Sequence, residues 1–363
     1  MSRFLSLTWL CCLVGSLLAV AQSPARSQDA IPSSVFNIDF EKAVVYEVKQ
    51  RVELDQIPAG SKQVRMWVSV PGDETHQRLL SLKVTSAPAD WKFVQDAERR
   101  GTFVYFQVDQ PASDKLELEV DFTIERDPVL TEVIPKHVGE LDESMKLLMA
   151  EHLVRDAPHM QVNDKVQAIA DSVCGDMTNP GAQVNALMRH LLKSVDHYSI
   201  SKDPDMPRCG IGDVEHCLTQ GGGCCTDVNS LFIALARARG IPCRLKMGYR
   251  LQEANINMMV DPGYRCWVEY FLPNYGWLST DLVEADAPGG FGILRWSSGL
   301  TARRIWLNSG REFYFDGTKD GNPVNHMSIA YAEIDGVPAR VIPEGDLKAQ
   351  ITRQVLFKEQ DQE

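Results

Sequence analysis

The chain has 363 residues with a net charge of −12, and 44% of its residues are hydrophobic and 24% charged. Such proportions belong to a folded globular protein with room for roughly two or three domains, and they exclude a disordered or low-complexity chain. An acidic surface repels phosphates and the sequence shows no basic stripe, so nucleic acid is excluded as a partner.

The chain opens with Arg3 and an apolar run from Phe4 to Ala21 that ends in Ala19-Val20-Ala21. This is the pattern of a cleaved export signal over residues 1–21, which places the protein in the periplasm, the cell envelope or outside the cell. The run is also near the minimum length for spanning a bilayer, so an uncleaved anchor is the other reading. No other segment looks membrane-bound. Cys11 and Cys12 leave with the signal, and Cys174, Cys209, Cys217, Cys224, Cys225, Cys243 and Cys266 stay. An odd number of cysteines in an exported chain leaves one thiol unpaired. Residues 22–35 are polar and read as a flexible lead.

Residues 36–127 alternate with period two, as in Val44, Tyr46, Val48 and again in Leu116, Leu118, Val120, Phe122, Ile124. Turn signals at Pro58-Ala59-Gly60, Pro71-Gly72-Asp73 and Arg100-Gly101 separate the runs. The pattern predicts an antiparallel β-sandwich without chemistry of its own. Residues 128–162 read as a connector with one helix near Glu140 to Val154. Helices are expected from Asn163 to Cys174 and from Pro180 to Val195, the second started by proline. Ser201 to Gln220 reads as an irregular loop over one side of a cleft, closed by a Cys209–Cys217 bridge. Strands are expected at Cys243 to Leu251, Tyr264 to Leu272, Trp277 to Leu282, Arg311 to Phe315 and Met327 to Ile334. The tail at 341–363 is charged and reads as helix or disorder.

The central stretch is Gly221-Gly222-Gly223-Cys224-Cys225-Thr226-Asp227, continuing to Gly240-Ile241-Pro242. Val228, Leu231, Phe232 and Leu235 fall on one helical face, and Gly240 with Pro242 ends the helix. Cys225 then stands at the helix start, where free N–H groups and the positive dipole end favour a thiolate. No Gly-Lys-Ser/Thr follows the glycines, so they form no phosphate loop. Cys209, Cys217, Cys224 and His216 have no metal-ligand spacing, so no metal or other cofactor is expected.

Gly223, Cys225, Asp227, Leu231, Arg237, Gly240, Ile241, Pro242 and Arg244 together resemble the nucleophile helix and following strand of the transglutaminase-like superfamily of thiol enzymes. The resemblance implies an α+β fold: the β-sandwich followed by a papain-like core over residues 163–340, with helices packed on an antiparallel sheet. A β domain ahead of such a core is common in bacterial members. The resemblance also implies a Cys–His–Asp site acting on amides of a peptide or protein. Its second half, His-x-Trp … Gly-Trp … Asp, reads here Arg265-Cys266-Trp267 … Gly276-Trp277 … Asp281. Cys225 is thus the expected nucleophile and Asp281 the orienting acid. Trp267 and Trp277 are expected at the substrate, and Arg265 stands where the family has histidine. A guanidinium holds charge but cannot cycle a proton, so catalysis is expected to be weak or lost. A non-catalytic peptide-binding domain and a structural envelope module are the competing expectations. His216 and His326 are the histidines expected to come nearest the cleft. Asp281 is equally readable as a simple ion-pair partner of Arg265 across facing strands. The sequence carries no sign of an oligomeric state.

Overall fold

The computed structural model describes residues 42–206, 211–286, 296–316, 323–327, 330–339 and 350–360. The expected export signal and lead lie outside the described residues. The chain begins with β1 (Val44–Asp55), β2 (Gln63–Val70), β3 (Gln77–Ser86), β4 (Trp91–Gln95), β5 (Thr102–Asp109), β6 (Leu116–Arg126) and the short β7 (Val129–Leu130). Helices α1 (Glu143–Leu148), α2 (Asp164–Cys174) and α3 (Pro180–Ser194) follow. Next come β8 (Asp196–His197), α4 (Val214–Gln220), β9 (Gly222–Gly223), α5 (Cys225–Ala238), β10 (Cys243–Arg250), β11 (Arg265–Leu272), β12 (Gly276–Thr280) and α6 (Leu282–Asp286). The last elements are β13 (Gly299–Leu300), β14 (Arg304–Ser309), β15 (Ala330–Ile334), β16 (Val337–Pro338) and β17 (Gln350–Glu359).

Two antiparallel sheets come from the N-terminal strands and the chain's end, in the orders β17-β1-β6-β3 and β16-β15-β2-β5-β4. Their inward residues, among them Tyr46, Val52, Met66, Phe106, Leu118 and Val355, form one apolar core. A strand that buries one face must alternate, and β1 and β6 do so along nearly their whole length.

The tail is where the fold departs from expectation. Residues 350–359 form neither helix nor disorder but a strand paired with β1 over its whole length. Ile351, Val355 and Phe357 point into the core beside buried Arg353. Polar outward residues (Gln350, Thr352, Gln354) and the buried Arg353 hide that alternation from a compositional reading. The expected strand at Arg311 to Phe315 is reduced to a bridge between Phe313 and Val324.

The second layer is an antiparallel sheet in the order β12-β11-β10-β14, with α2, α3 and α5 on its apolar side. Asn163, Asn179 and Asp213 accept backbone N–H bonds at the starts of α2, α3 and α4, so all three helices begin on a proper N-cap. Helix α4 also corrects the loop expected through Gln220. Cys217 lies in it as a buried free thiol, and Cys209, its partner in the expected bridge, lies outside the described residues.

The two layers share side chains. Tyr249 of β10, Leu251 just after it, and Ile305 and Leu307 of β14 pack into the sandwich core. Gln77 gives its side-chain N–H to the Trp306 carbonyl (2.9 Å) and accepts the Trp306 N–H (2.8 Å). Among the described residues no helix is long and apolar enough to cross a membrane.

Candidate active site

Helix α5 is buried at every position from Cys225 to Arg237, not on one face only. Thr226 and Asn229 reach Cys266 of β11, so a polar face meets the sheet, while α2, α3 and α4 also pack around the helix. Its start is fixed by Asp227, whose carboxylate accepts the Cys224 N–H at 2.9 Å, as the acidic half of a capping box does. Its other end is fixed by Arg237, which donates to the carbonyls of His152 (3.0 Å), Val154 (3.0 Å) and Cys243 (2.9 Å).

The glycines allow the approach to this helix. Strand β8 runs parallel to β9, with Asp196 opposite Gly222 and His197 opposite Gly223. A Cβ on Gly222 would lie 2.0 Å from the Asp196 carbonyl oxygen, and one on Gly223 would lie 2.6 Å from the Asp227 carboxylate. Only glycine fits at either position.

Cys225 is the first residue of α5 and is 4% exposed. A hydrogen bond from Cys224 draws its thiol pKa down, whereas a hydrogen bond to Cys266, burial and the Cys266 thiol push it up; Arg265 again draws it down. The net direction is well upward. The upward direction runs against the thiolate expected at the helix start: the hydrogen bond to Cys266, burial and the Cys266 thiol together outweigh Cys224 and Arg265. Nearby, Thr226 Oγ1 lies 3.2 Å from the Cys266 sulfur and 3.2 Å from the Tyr264 hydroxyl.

Arg265 and Asp281 do come together, though not as a simple pair. Asp281 Oδ1 accepts the N–H groups of Val283 and Glu284 (both 3.1 Å), capping α6. Its Oδ2 accepts from Arg304 Nη2 at 2.9 Å and lies 3.9 Å from Arg265 Nε. Glu284 Oε1 receives Arg265 at 3.3 Å, Arg304 at 3.2 Å and Arg250. Three guanidiniums and two carboxylates thus interlock. Burial works against the charge on Arg265, but Asp281, Cys225 and Glu284 outweigh it and raise its pKa. Burial likewise opposes the charge on Asp281, but Arg265, Arg304 and the helix N–H groups hold its pKa below the ordinary range. The arginine at this position is a permanent cation.

The two tryptophans expected at a substrate are both packed against neighbouring side chains. Trp267 is 1% exposed and packs with Ala285, Trp296 and Leu300, so it presents no surface. Trp277 pairs with Phe271, six residues along β11 from Arg265, or ~20 Å at ~3.3 Å per residue. It packs against His152 and under the Arg244 guanidinium, 4.2 Å from its ring centre.

The expected histidines divide similarly. His326 stacks on Tyr264, whose hydroxyl lies 3.2 Å from Thr226 Oγ1 near the helix start. His216 lies on α4 with a buried Nε2. Among the described residues the metal-ligating types form no group suited to a metal. The residue missed by the sequence reading is His197. It feels the charges of Arg265, Asp281 and Asp227, and burial and then Arg265 lower its pKa to about 4. Its signal was its place just before Tyr198, where the family's helices end, and opposite the glycine turn.

Residues 167–282 match the model of the transglutaminase-like superfamily. An uncharacterised protein of Haemophilus influenzae is 26% identical over 89% of this chain and 93% of its own length. A protein-glutamine gamma-glutamyltransferase of Pseudomonas aeruginosa is 32% identical over 36% of this chain, a span that is 20% of that enzyme. A candidate cysteine protease from Cytophaga hutchinsonii, solved by crystallography, superposes with a TM-score of 0.57 at 18% identity, covering 89% of this chain and 93% of the other. That likeness extends the shared fold through the β-sandwich as well as the papain-like core.

Proposed function

Residues 167–282 form a transglutaminase-like domain, and from that premise we propose that this is an exported thiol protein whose Cys225 addresses peptide amide carbonyls but turns over weakly or not at all. In such chemistry the thiol adds to an amide carbonyl, the amine leaves with a proton, and water or a second amine releases the acyl group. The proton must be taken from sulfur and returned to nitrogen. The observation that carries the reading is the interlock of Arg265 with Asp281 and Glu284, and the resemblance puts the family's base at the position of Arg265. A guanidinium so held stays charged and moves no proton, and general acid–base help of ~10²–10⁴-fold is missing. The burial of Cys225 and the upward direction of its thiol pKa support the same reading. They equally favour the alternative, a cleft that binds a peptide without attacking it.

The test is a panel of glutamine-containing peptides, since the Pseudomonas relative is named for glutamine transfer. Ammonia release and amine incorporation are compared for the natural chain, Arg265→His and Cys225→Ala. Slow or absent turnover in the natural chain and a gain of at least ~10-fold in Arg265→His are expected. Brisk natural turnover that Arg265→His abolishes would place Arg265 inside a working mechanism and end the reading. Cleavage of the 1–21 segment on export, read by N-terminal sequencing, tests the compartment.

A further inference from the structure

The loop between β10 and β11 runs along the last strand of the sandwich before it reaches the nucleophile helix. Val260 makes an antiparallel bridge with Val355 of β17: its N–H donates to the Val355 carbonyl at 3.1 Å, and its carbonyl accepts the Val355 N–H at 2.7 Å. One residue on, Asp261 Oδ1 accepts from Arg353 Nη2 at 2.6 Å, from Arg353 Nε at 3.2 Å and from the Gly263 N–H at 2.8 Å. The Arg353 side chain is 1% exposed and lies over the Tyr249 ring, 4.9 Å from its centre. A buried guanidinium holds its carboxylate firmly, because parting them strands a charge out of water. Here the same carboxylate closes the turn at Gly263, whose φ of +66° suits glycine. That turn delivers Tyr264.

Tyr264 ends against the start of α5. Its ring stacks on His326, with centroids 6.1 Å apart. Its hydroxyl lies 3.2 Å from Thr226 Oγ1 and 3.6 Å from Cys224 Sγ, the side chains before and after Cys225 in the chain. Thr226 Oγ1 in turn lies 3.2 Å from the Cys266 sulfur. A hydroxyl or a thiol has one proton to donate. One consistent direction of donation runs from Cys266 to Thr226, from Thr226 to Tyr264 and from Tyr264 to Cys224. In that direction the Cys224 proton is not committed to Tyr264 and can turn to the Cys225 sulfur, the contact that draws the Cys225 thiol pKa down. The reverse direction commits it to Tyr264.

We propose that Tyr264 is a positioning residue for Cys225, held through Asp261 by Arg353 of β17 and acting through the Cys224 side chain. The proposal rests on the reading of Cys225 as the reacting thiol. It gives the closing strand of the sandwich a part in the site of the core: β17 sets where the Tyr264 hydroxyl stands, and the hydroxyl sets the side chain that precedes the nucleophile.

The test is the rate of iodoacetamide alkylation of Cys225 against pH, read by peptide mass in the full chain. The natural chain is compared with Tyr264→Phe, Arg353→Met, Arg353→Lys and the double variant of Tyr264→Phe with Arg353→Met. Tyr264→Phe keeps the ring on His326 and removes only the hydroxyl. It is expected to displace the rising limb to higher pH, slowing alkylation at least ~3-fold at about pH 8. Arg353→Met is expected to move the curve the same way, and Arg353→Lys, which keeps a donor for Asp261, to recover most of the loss. The double variant is expected to go no further than Tyr264→Phe alone, since both changes act on one contact. A Tyr264→Phe curve that superposes on the natural one overturns the proposal, even where urea denaturation shows lost stability. Additive slowing in the double variant overturns the part given to Arg353 and β17. Failure of Cys225 to be alkylated in the natural chain up to about pH 10 would instead remove the thiol reading, and the inference with it.

Discussion

Both oxygens of Asp281 are engaged, one by the α6 N-terminus and one by Arg304. Replacing it by asparagine leaves Arg304, itself 2% exposed, beside Glu284 with two other guanidiniums. Breaking a buried pair from one side costs about 3–5 kcal/mol. Asp281→Asn is expected to lower stability by that order in urea denaturation, and a loss under about 1 kcal/mol would show that the cluster does not depend on it. The same engagement limits Arg265→His, because Asp281 can orient a new imidazole only with the oxygen that already serves Arg304. At Cys225 the upward shift has its own signature. Its alkylation rate is expected to keep rising past about pH 9. A plateau below neutral pH would mean a standing thiolate.

At the scale of elements, the β8–β9 ladder and the ends of α5 fix the site. Gly222→Ala drives a Cβ to 2.0 Å from a backbone oxygen at φ +154°, which no rotamer relieves. It is expected to cost more than about 2 kcal/mol and to displace His197. The chemical shift of the His197 ring and the urea midpoint both report it. Arg237 bonds three carbonyls that no other side chain reaches in the same way. Arg237→Lys keeps the charge but not the fork, and a loss of about 2 kcal/mol or more is expected from the orphaned carbonyls. Much of this was legible in the sequence. Asn163 and Asn179-Pro180 announced two helix starts, and Gly240 with Pro242 announced the end of α5, because caps act locally. The all-round burial of α5 was not legible, since Ala, Ser, Thr and Asn on its other faces say nothing of what covers them. Spacing places Trp267 and Trp277 on their strands but does not say which neighbours close over them.

Across the whole molecule, the sandwich and the core are tied by buried charge as well as by apolar packing. Glu74, from the sandwich, bonds Lys246 of β10 at 3.0 Å, and Lys246 reaches Glu269 at 3.3 Å. Such long-range partners cannot be read from a linear pattern, and neither could the closure of the sandwich by β17, some 295 residues of chain away from β1. This tie makes stability depend on acid. Burial alone would raise the Glu74 pKa, but Lys246 and Arg126 hold it down at about 2. A depressed carboxylate stabilises the fold above its unfolded pKa of about 4.5, and the contribution fades as pH falls toward about 2. Its order is about 3 kcal/mol. Higher on the scale, His152, His197 and His326 are each held at about 4, first by burial and then by neighbouring arginines. An imidazole depressed in the fold stabilises it above the unfolded value of about 6.5, and that contribution is lost between about 6.5 and 4. Asp286 runs the other way, raised by burial and Asp196 to about 6, so it offsets part of that loss below pH 6. The denaturation midpoint is therefore expected to fall in two stages on acidification, one from about pH 6.5 to 4 and one from about pH 4.5 to 2. Glu74→Gln should shrink only the second stage, in which Asp281 also takes part, and His152→Gln should shrink only the first. A midpoint that stays level from pH 6.5 to 4 would mean that these imidazoles charge in the folded protein without penalty.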